Sequence, residues 1–437
     1  MLASQVARAQ NLTETQLALV SADLADTAKS SWELGTRAQA ILSLNATGFS
    51  VYSPTTLPPP TLTDAFGAAN ASGLGPFFDI ARTTVLDRGA SNGNITGPQP
   101  LMQDGSAADP ASIGFAVLLA NWTGQDGGQI DYGGAAKDQL DFLLRVVPRT
   151  ADGAISHRVS EVQLWSDFVY MVPPFLAYYG VMTSNYTLVQ QAYAQIKLYR
   201  NYLRDPYANG LWKHVLLGSS GIDEGHWSTG NAWAAAGMLR VLATVKSSQY
   251  ATSLQSEQID LADWVIEIQN AMYSYLDSTY IFGNYPNQHI SHPNFYDAAS
   301  TAMLTSTVYR LSLLWGYHKH LPIAERSRQA LFSQNSSLSS TSDSTSDSNS
   351  SFFTALSDMN HFTPDGYLRP VVDPRSFGTE GNVSAEGQAF VIELHSAWRD
   401  WVAAGDQGAN GASMTMSMNS VIPASCVGAG LGVWLLI

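Results

Sequence analysis

The dominant pattern along the chain is the recurrence of apolar residues at helical spacing, three and four positions apart. Alternation of the kind that predicts half-buried strands is scarce, and glycine and proline concentrate between the apolar segments. The spacing predicts helices over 14–28, 32–44, 111–120, 135–146, 162–180, 187–203, 229–246, 255–275, 297–318, 321–333 and 385–403.

Two of these segments, 165–180 and 229–243, are apolar on most of their faces. A helix that is apolar all round must be covered all round. A mixture of fully buried and amphipathic helices predicts two concentric rings. The expected fold class is therefore all-α, with an (α/α) barrel built of helical hairpins as the simplest arrangement.

The chain is predicted to form one domain over residues 1–408. Residues 333–351 are nearly all Ser, Asn, Asp and Thr. Such a segment cannot bury enough apolar area to offset the entropy of ordering it. We therefore expect a disordered insertion there, with the segment after it closing the same domain.

The last residues carry a second signal. Residues 421–437 are apolar and uncharged, and they follow a polar spacer, 409–420, that begins with small residues. This order is typical of a glycolipid (GPI) anchor signal. A weak membrane span or a buried C-terminal strand is the alternative, but 17 residues with three Gly and one Pro make a poor span. We expect membrane contact only through the lipid anchor.

Composition indicates the cellular compartment of the protein and excludes some classes of binding partner. The 437 residues are 45% hydrophobic but only 13% charged, about half the usual share, so the surface must be covered by uncharged polar groups. The net charge of −14, without a basic stripe, argues against nucleic acid as a partner. Nine Asn-x-Ser/Thr sequons favour a secreted, extracellular glycoprotein. These lie at Asn11, Asn45, Asn70, Asn94, Asn121, Asn185, Asn335, Asn349 and Asn382. We expect a monomer.

Asp167 is the most informative single residue, because it is a lone carboxylate within the apolar run 164–176. Burying an unpaired carboxylate costs several kcal/mol, so such a group usually raises its pKa and keeps a proton. A carboxylic acid that keeps its proton can act as a general acid. The alternative is a buried Asp that caps a helix or pairs with an Arg.

Three clusters combine aromatic, histidine or amide groups, the combination that binds sugars through stacking and hydrogen bonds. They lie at 155–158, 210–214 and 225–233. The candidate substrate-binding residues are Trp165, His157, Arg158, His214, Trp227, Asn231 and Trp233. For Trp227 and Trp233 a place in the core is the alternative. No spacing of His or Cys supports a metal site, and no phosphate-binding loop is present, so we expect neither metal nor cofactor.

Several motifs in residues 137–320 occur in the order seen in one family. One is a Trp-x-Asp-x-x-x-Met-x-x-x-Phe-Leu pattern, and another is an aromatic-x-His step. A third corresponds to Trp-Gly-Arg-Gly-Asn-Gly-Trp, and a fourth to Ser-Gly-Thr-Ala-Met. They match Trp165 to Leu176, Trp212 to His214, Trp227 to Trp233 and Ala299 to Met303. The chain thus resembles the six-hairpin glycosidases, specifically glycoside hydrolase family 105, the unsaturated rhamnogalacturonyl hydrolases, in a fungal-type secreted form.

The resemblance implies an (α/α)6 catalytic domain that acts on an oligosaccharide substrate. The sugar removed is a 4,5-unsaturated uronate at the non-reducing end of pectin-derived oligosaccharides. In that family one Asp protonates the vinyl ether at C4 and water adds at C5, which would make Asp167 the catalytic residue. Glu161 is a weaker candidate for a second acid.

Departures from the motifs leave alternatives open. Thr229 stands where the family has an Arg, and Arg158, Lys213 or His157 would have to compensate. A wall-associated glycosidase or transglycosidase on another glycan is one alternative, although the adjacent Asp-Asp pair of the fungal mannan enzymes is absent. A non-catalytic glycan-binding protein is the other.

Overall fold

The computed structural model describes residues 11–53, 56–61, 73–334 and 356–409. These residues form twelve α-helices and two short antiparallel strand pairs. The helices are α1 Glu14–Thr27, α2 Ser31–Asn45, α3 Gly75–Asn92, α4 Gly114–Trp122, α5 Tyr132–Arg145, α6 Phe168–Met182, α7 Tyr186–Leu203, α8 Ser228–Lys246, α9 Gln255–Tyr273, α10 Ala298–Trp315, α11 Leu321–Leu331 and α12 Ala385–Ala403. The strands are β1 Gln163–Trp165, β2 Val215–Leu217, β3 Val371–Asp373 and β4 Ser376–Gly381.

The even-numbered helices form a closed inner ring, and the odd-numbered helices pack outside it. Around the ring α2 contacts α12, α12 contacts α10, α10 contacts α8, α8 contacts α6, and α6 contacts α4, while the turn before α4 closes the circle against α2. The inner α8 is buried from Ser228 to Val245. The outer α7 buries only one face, at three- and four-residue spacing. The predicted (α/α)6 barrel is therefore confirmed.

Capping side chains fix where some helices begin, and a glycine allows two inner helices to pack closely. Thr13 and Gln16 form a reciprocal capping box at α1, and Asp297 caps α10 by accepting from the backbone of Ala299 and Ser300. Gly237 lets the inner α8 approach α6 closely, because a Cβ at this position would collide with the carbonyl of Val169.

The sequence prediction missed one helix and placed the start of another too early. α3 is missing from the sequence prediction, because its buried residues lie mostly in its first half and its second half is polar. The helix predicted over 162–180 begins only at Phe168, since residues 163–165 pair with β2 instead. This pairing sets Trp165 opposite Val215 and brings two distant segments to the amino ends of α6 and α8.

Other sequence predictions fall largely outside the described residues. Of the predicted insertion 333–351, only Ser333 and Gln334 are described, and Gln334 pairs with Met359 across the gap. The tail 421–437 lies outside the described part, as does the spacer after residue 409. Among the described helices, none combines the length and apolarity that a membrane span requires.

Candidate active site

Asp167 lies one residue before α6 begins, at the end of the inner ring. Its side chain is 14% exposed. The hydroxyl of Ser166 donates to Oδ2 at 3.1 Å. The amino end of a helix favours a negative charge. Asp167 is therefore placed where an ionised carboxylate is stabilised and where solvent still reaches it.

His214 connects Asp167 to a second carboxylate, Asp223. Its Nε2 lies 3.5 Å from Oδ2 of Asp167, and its Nδ1 lies 3.0 Å from Oδ2 of Asp223. The imidazole is completely buried. The backbone holds this arrangement, because Ser166 N donates to His214 O at 2.9 Å. Asp223 is a site residue that sequence reasoning missed.

The predicted rise in the pKa of Asp167 is wrong. Burial raises this pKa, but the hydrogen bonding and charge of His214, helped by His157 and Ser166, outweigh burial and bring it below its ordinary value. The pKa of His214 is raised by the two carboxylates although burial lowers it. Asp167 and His214 therefore form one unit in which the proton resides mainly on the imidazole.

Five rings build the wall of the site. They belong to His157, Trp165, His214, Trp227 and Phe377. The imidazole of His157 stacks on Trp165 with ring centroids 4.8 Å apart, and His214 lies 4.5 Å from Trp227. Phe377 comes from the β3–β4 hairpin and meets His214 edge-on at 4.5 Å. Trp165 and Phe377 are partly exposed, and their flat apolar faces suit the C–H surface of a sugar ring, whereas His157, His214 and Trp227 are buried behind them.

Asp109 is another acid that the sequence analysis missed. Its Oδ1 lies 3.4 Å from Nε2 of His157. Burial, with the nearby charges of Asp104 and Asp167, raises the pKa of Asp109 well above its ordinary value. Burial lowers the pKa of His157 to about 3. A neutral imidazole thus faces a carboxyl whose charged form is disfavoured. The sequence held one sign of Asp109, its position just before the apolar run 111–120.

Glu386 is a fourth acid near the site, buried in the first turn of α12. Burial and the charges of Asp167, Glu33 and Asp297 raise its pKa well above the ordinary value. Its Oε2 accepts from the indole Nε1 of Trp32 at 3.0 Å. Burial thus disfavours the charged forms of Asp109 and Glu386, whereas His214 favours the charged forms of Asp167 and Asp223, which limits the negative charge of the site to fewer than four carboxylates.

Two predicted binding residues do not line the site. Asn231 is fully buried, and its amide bonds the backbone N–H and carbonyl of Trp212 and the carbonyl of Trp227. The Asn231 amide is thereby engaged by the backbone of Trp212 and Trp227 and is not available to a ligand. Trp233 packs in the core between Tyr170 and Phe390. The helical spacing of Trp233 already allowed this reading.

Arg158 is an exposed cation beside Trp165. Its guanidinium lies over the ring of Trp165, 5.6 Å from the centroid, and its residue is exposed. Within the described part of the chain, no carboxylate forms a salt bridge with it. Lys213, by contrast, pairs with Glu224. Arg158 is therefore available to an anionic ligand.

Thr229 is buried, and its hydroxyl donates to Oδ2 of Asp297 at 3.0 Å. It therefore presents no charge to the site. Among the described residues, no cluster of three or more His, Cys, Asp or Glu side chains is arranged to hold a metal ion.

The double ring of helices, with acids and aromatic rings gathered where inner helices begin, has the architecture of the six-hairpin barrel class. Residues 76–333, more than half of the chain, match the family model of Glycosyl Hydrolase Family 88. The chain belongs to this family. No curated protein matches it in sequence.

Solved structures share the fold at low identity. A possible member of family 105 from Salmonella enterica serovar Paratyphi A is 14% identical, with a TM-score of 0.61 over 89% of this chain and 94% of its own. A family 105 glycoside hydrolase from C. acetobutylicum is 13% identical, with a TM-score of 0.61 over 88% and 99%. An unsaturated glucuronyl hydrolase specific for heparin is 11% identical, with a TM-score of 0.55 over 89% and 96%. The predicted resemblance to six-hairpin glycosidases is confirmed.

Proposed function

We propose that the protein removes a 4,5-unsaturated uronyl residue from rhamnogalacturonan-type oligosaccharides derived from pectin, as members of family 105 do. The observation that carries the proposal is the pairing of Asp167 with His214 beside the aromatic wall. That pair holds one exchangeable proton within a site of limited charge. Hydration of a vinyl ether needs one such proton-holding group, whereas ordinary glycosidases need two carboxylates at a set separation.

In the proposed reaction, the Asp167–His214 pair gives a proton to C4 of the unsaturated sugar. Water then adds at C5 and returns a proton to the pair. The hydrated sugar opens, and the rest of the oligosaccharide leaves. Asp109, which keeps its own proton, is placed to hydrogen-bond the sugar through its neighbour His157 or directly.

The uronate carboxylate needs a cation, and Arg158 supports this part of the proposal. Its guanidinium lies on the face of Trp165 and makes no salt bridge to a described carboxylate. Arg can bind a carboxylate with two parallel hydrogen bonds. Arg158 would then hold the sugar carboxylate beside Trp165, the ring over which its own guanidinium lies.

The test follows the ultraviolet absorbance of the 4,5-double bond during incubation with unsaturated galacturonyl-rhamnose oligosaccharides. Loss of absorbance with the wild type, and a rate lower by about a thousandfold or more in Asp167→Asn, would support the proposal. Equal rates in the two proteins would exclude Asp167 as the proton donor. Thermal unfolding of both proteins checks that the variant is folded.

A second function, hydrolysis of a different glycan by the same barrel, is favoured by Thr229. Its hydroxyl is engaged with buried Asp297, so this position offers no charge to a uronate. A panel of unsaturated uronides and neutral glycans decides between the two. Turnover confined to neutral glycans would replace the uronide proposal, and binding without turnover would favour a glycan-binding role.

We also propose that the protein is secreted and held at the cell surface by a glycolipid anchor, and that it is a monomer. The proposal is supported by the composition of residues 421–437 and by five sequon asparagines that are exposed, Asn45, Asn94, Asn121, Asn185 and Asn382. Release from cells by a phosphatidylinositol-specific phospholipase and a mobility shift after deglycosylation would support it. Recovery of unmodified protein from the cell interior would contradict it, and light scattering tests the monomer.

A further inference from the structure

The position of His214 depends on contacts to both of its ring nitrogens. Nδ1 lies 3.0 Å from Asp223 and Nε2 lies 3.5 Å from Asp167. Trp227 and Phe377 pack against the ring, each with its centroid 4.5 Å away. The imidazole is therefore held between the two carboxylates and has little freedom to turn.

Asp223 is itself fixed by three further contacts. The hydroxyl of Tyr285 donates to Oδ2 at 2.7 Å, and the N–H of Gly225 donates to Oδ1 at 2.9 Å. Its backbone pairs with Val215 of β2. Burial raises the pKa of Asp223, but His214 and Tyr285 outweigh burial and hold it below the ordinary value. An ionised Asp223 can only accept, so Nδ1 of His214 must carry a proton.

We propose that Asp223 is a positioning residue that acts on Asp167 through His214, by keeping the proton on Nδ1 and pointing Nε2 at the Asp167 carboxylate. Its role rests on the proposed function, because the reaction uses the proton held by the Asp167–His214 pair. Asp223 has no direct contact with Asp167 among the described hydrogen bonds and ion pairs. Asp223 determines which nitrogen of His214 faces Asp167, and it raises the affinity of the Asp167–His214 pair for its proton.

The charges around the imidazole agree with this role. The titratable groups that face it are Asp167 before α6, Asp223 after β2 and His157 before β1, and His157 is neutral. Tyr285 affects the imidazole of His214 only through its hydrogen bond to Asp223, and Lys213 forms its salt bridge with Glu224. Removing the charge of Asp223 therefore weakens the hold of the Asp167–His214 pair on its proton.

The proton balance of the proposed reaction makes this measurable. One proton leaves the pair for C4, and the water that forms the C5–O bond returns one. The active form is the pair with one proton, so activity is lost at high pH when that proton is gone. Without the Asp223 charge, this loss must occur at a lower pH.

The experiment compares Asp223→Asn with Asp205→Asn across the pH range. Asp205 is a matched control because it also pairs with a histidine, His226 at 3.2 Å, and its side chain has the same 17% exposure. His226 contacts Asn287 rather than Asp167. We expect Asp223→Asn to lower kcat more than it raises KM and to move the high-pH limb down by about one pH unit or more. Asp205→Asn is expected to keep the wild-type profile.

A second variant and a second readout keep the test decisive. Tyr285→Phe leaves the Asp223 charge in place but removes a donor to it, so it is expected to move the same limb to higher pH. Nitrogen NMR of labelled histidine, assigned with His214→Gln and recorded above the pH at which the imidazole becomes neutral, reads the tautomer without any substrate. A proton on Nδ1 in the wild type and a mixture of tautomers in Asp223→Asn would support the proposal.

Three outcomes would overturn it: an unchanged pH profile in Asp223→Asn, an equal shift in Asp205→Asn, or the same His214 tautomer in Asp223→Asn and the wild type. Failure of the proposed function is distinguishable from these. In that case the wild type turns over no unsaturated uronide, while the NMR result still reports on the link between Asp223 and His214.

Discussion

Trp32 and Glu386 are 354 positions apart in the chain, and the indole Nε1 of Trp32 donates to Oε2 of Glu386 at 3.0 Å. Trp32 lies in the first turn of α2, and Glu386 lies in the first turn of α12. The bond therefore joins the first and last inner helices where the barrel ring closes. It also sets an aromatic ring and a buried acid at the rim of the site that contains Asp167.

Asp109→Asn is expected to lower kcat/KM by about tenfold to a hundredfold while changing the melting temperature little near neutral pH. The reason is that burial disfavours the charged form of Asp109, so an amide replaces it with similar size and charge but without an acidic proton. Initial rates and thermal unfolding measure the two effects. Wild-type rates in the variant would show that Asp109 serves only to pack beside His157.

Arg158→Ala is expected to raise KM for unsaturated uronides by about tenfold with little change in kcat, because a charge-assisted contact to the bound carboxylate is lost. Arg158→Lys should recover part of the affinity, since it keeps the charge but not the planar fork. Arg145→Ala is the control, as Arg145 pairs with Asp141 on the outer face. Equal KM values in all four proteins would contradict this role.

Asn231→Ala is expected to lower the free energy of unfolding by about 2–4 kcal/mol, because it leaves the buried backbone N–H and carbonyl of Trp212 without the Asn231 amide. At permissive temperature its KM should stay near the wild-type value. Trp165→Ala should behave in the opposite way, with a raised KM and a smaller loss of stability. Urea unfolding and steady-state kinetics of both variants separate the structural role from the binding role.

Glu393→Gln tests how the buried carboxyl of Glu393, on the inner helix α12, makes the stability of the protein depend on pH. Burial raises the pKa of Glu393 to about 7 from the ordinary 4.5, in spite of Arg310 and a hydrogen bond from Ser43. The native state thus binds this proton more tightly than the unfolded state. Its stabilising effect is complete below about pH 4.5 and is lost as pH rises through about 7, by about 3 kcal/mol in all.

The Gln variant should therefore match the wild type in stability near pH 5 and exceed it near pH 8. Urea unfolding of both proteins at the two pH values measures the difference. A constant difference between them would contradict a raised pKa for Glu393.

Much of the fold is predictable from apolar spacing. The inner α8 and α10 are buried along nearly their whole length, and this reads directly as an apolar run. α3 escaped prediction because only a few residues near its start are buried. The strand at 163–165 could not be foreseen, because its pairing partner, 215–217, lies about fifty residues away.

Some residues of the candidate site are likewise predictable from the sequence, and others are shown only by the folded structure. Asp167 stands out in the sequence because a carboxylate in an apolar run is chemically unusual. Asp109 only precedes an apolar run, and Asp223 and Glu386 have no such marking, so their approach to Asp167 and its partners is what shows them. Phe377 reaches the aromatic wall on a hairpin far along the chain.

The sequence by itself determined the class of fold and the position of the central acid, because helical periodicity and an isolated charge are local properties of the chain. Only the tertiary structure decided the protonation of that acid. The pKa of Asp167 depends on burial and on the distance to His214, and both are set when residues 167, 214 and 223 meet in the folded barrel. Such contacts join distant segments, and no local pattern records them.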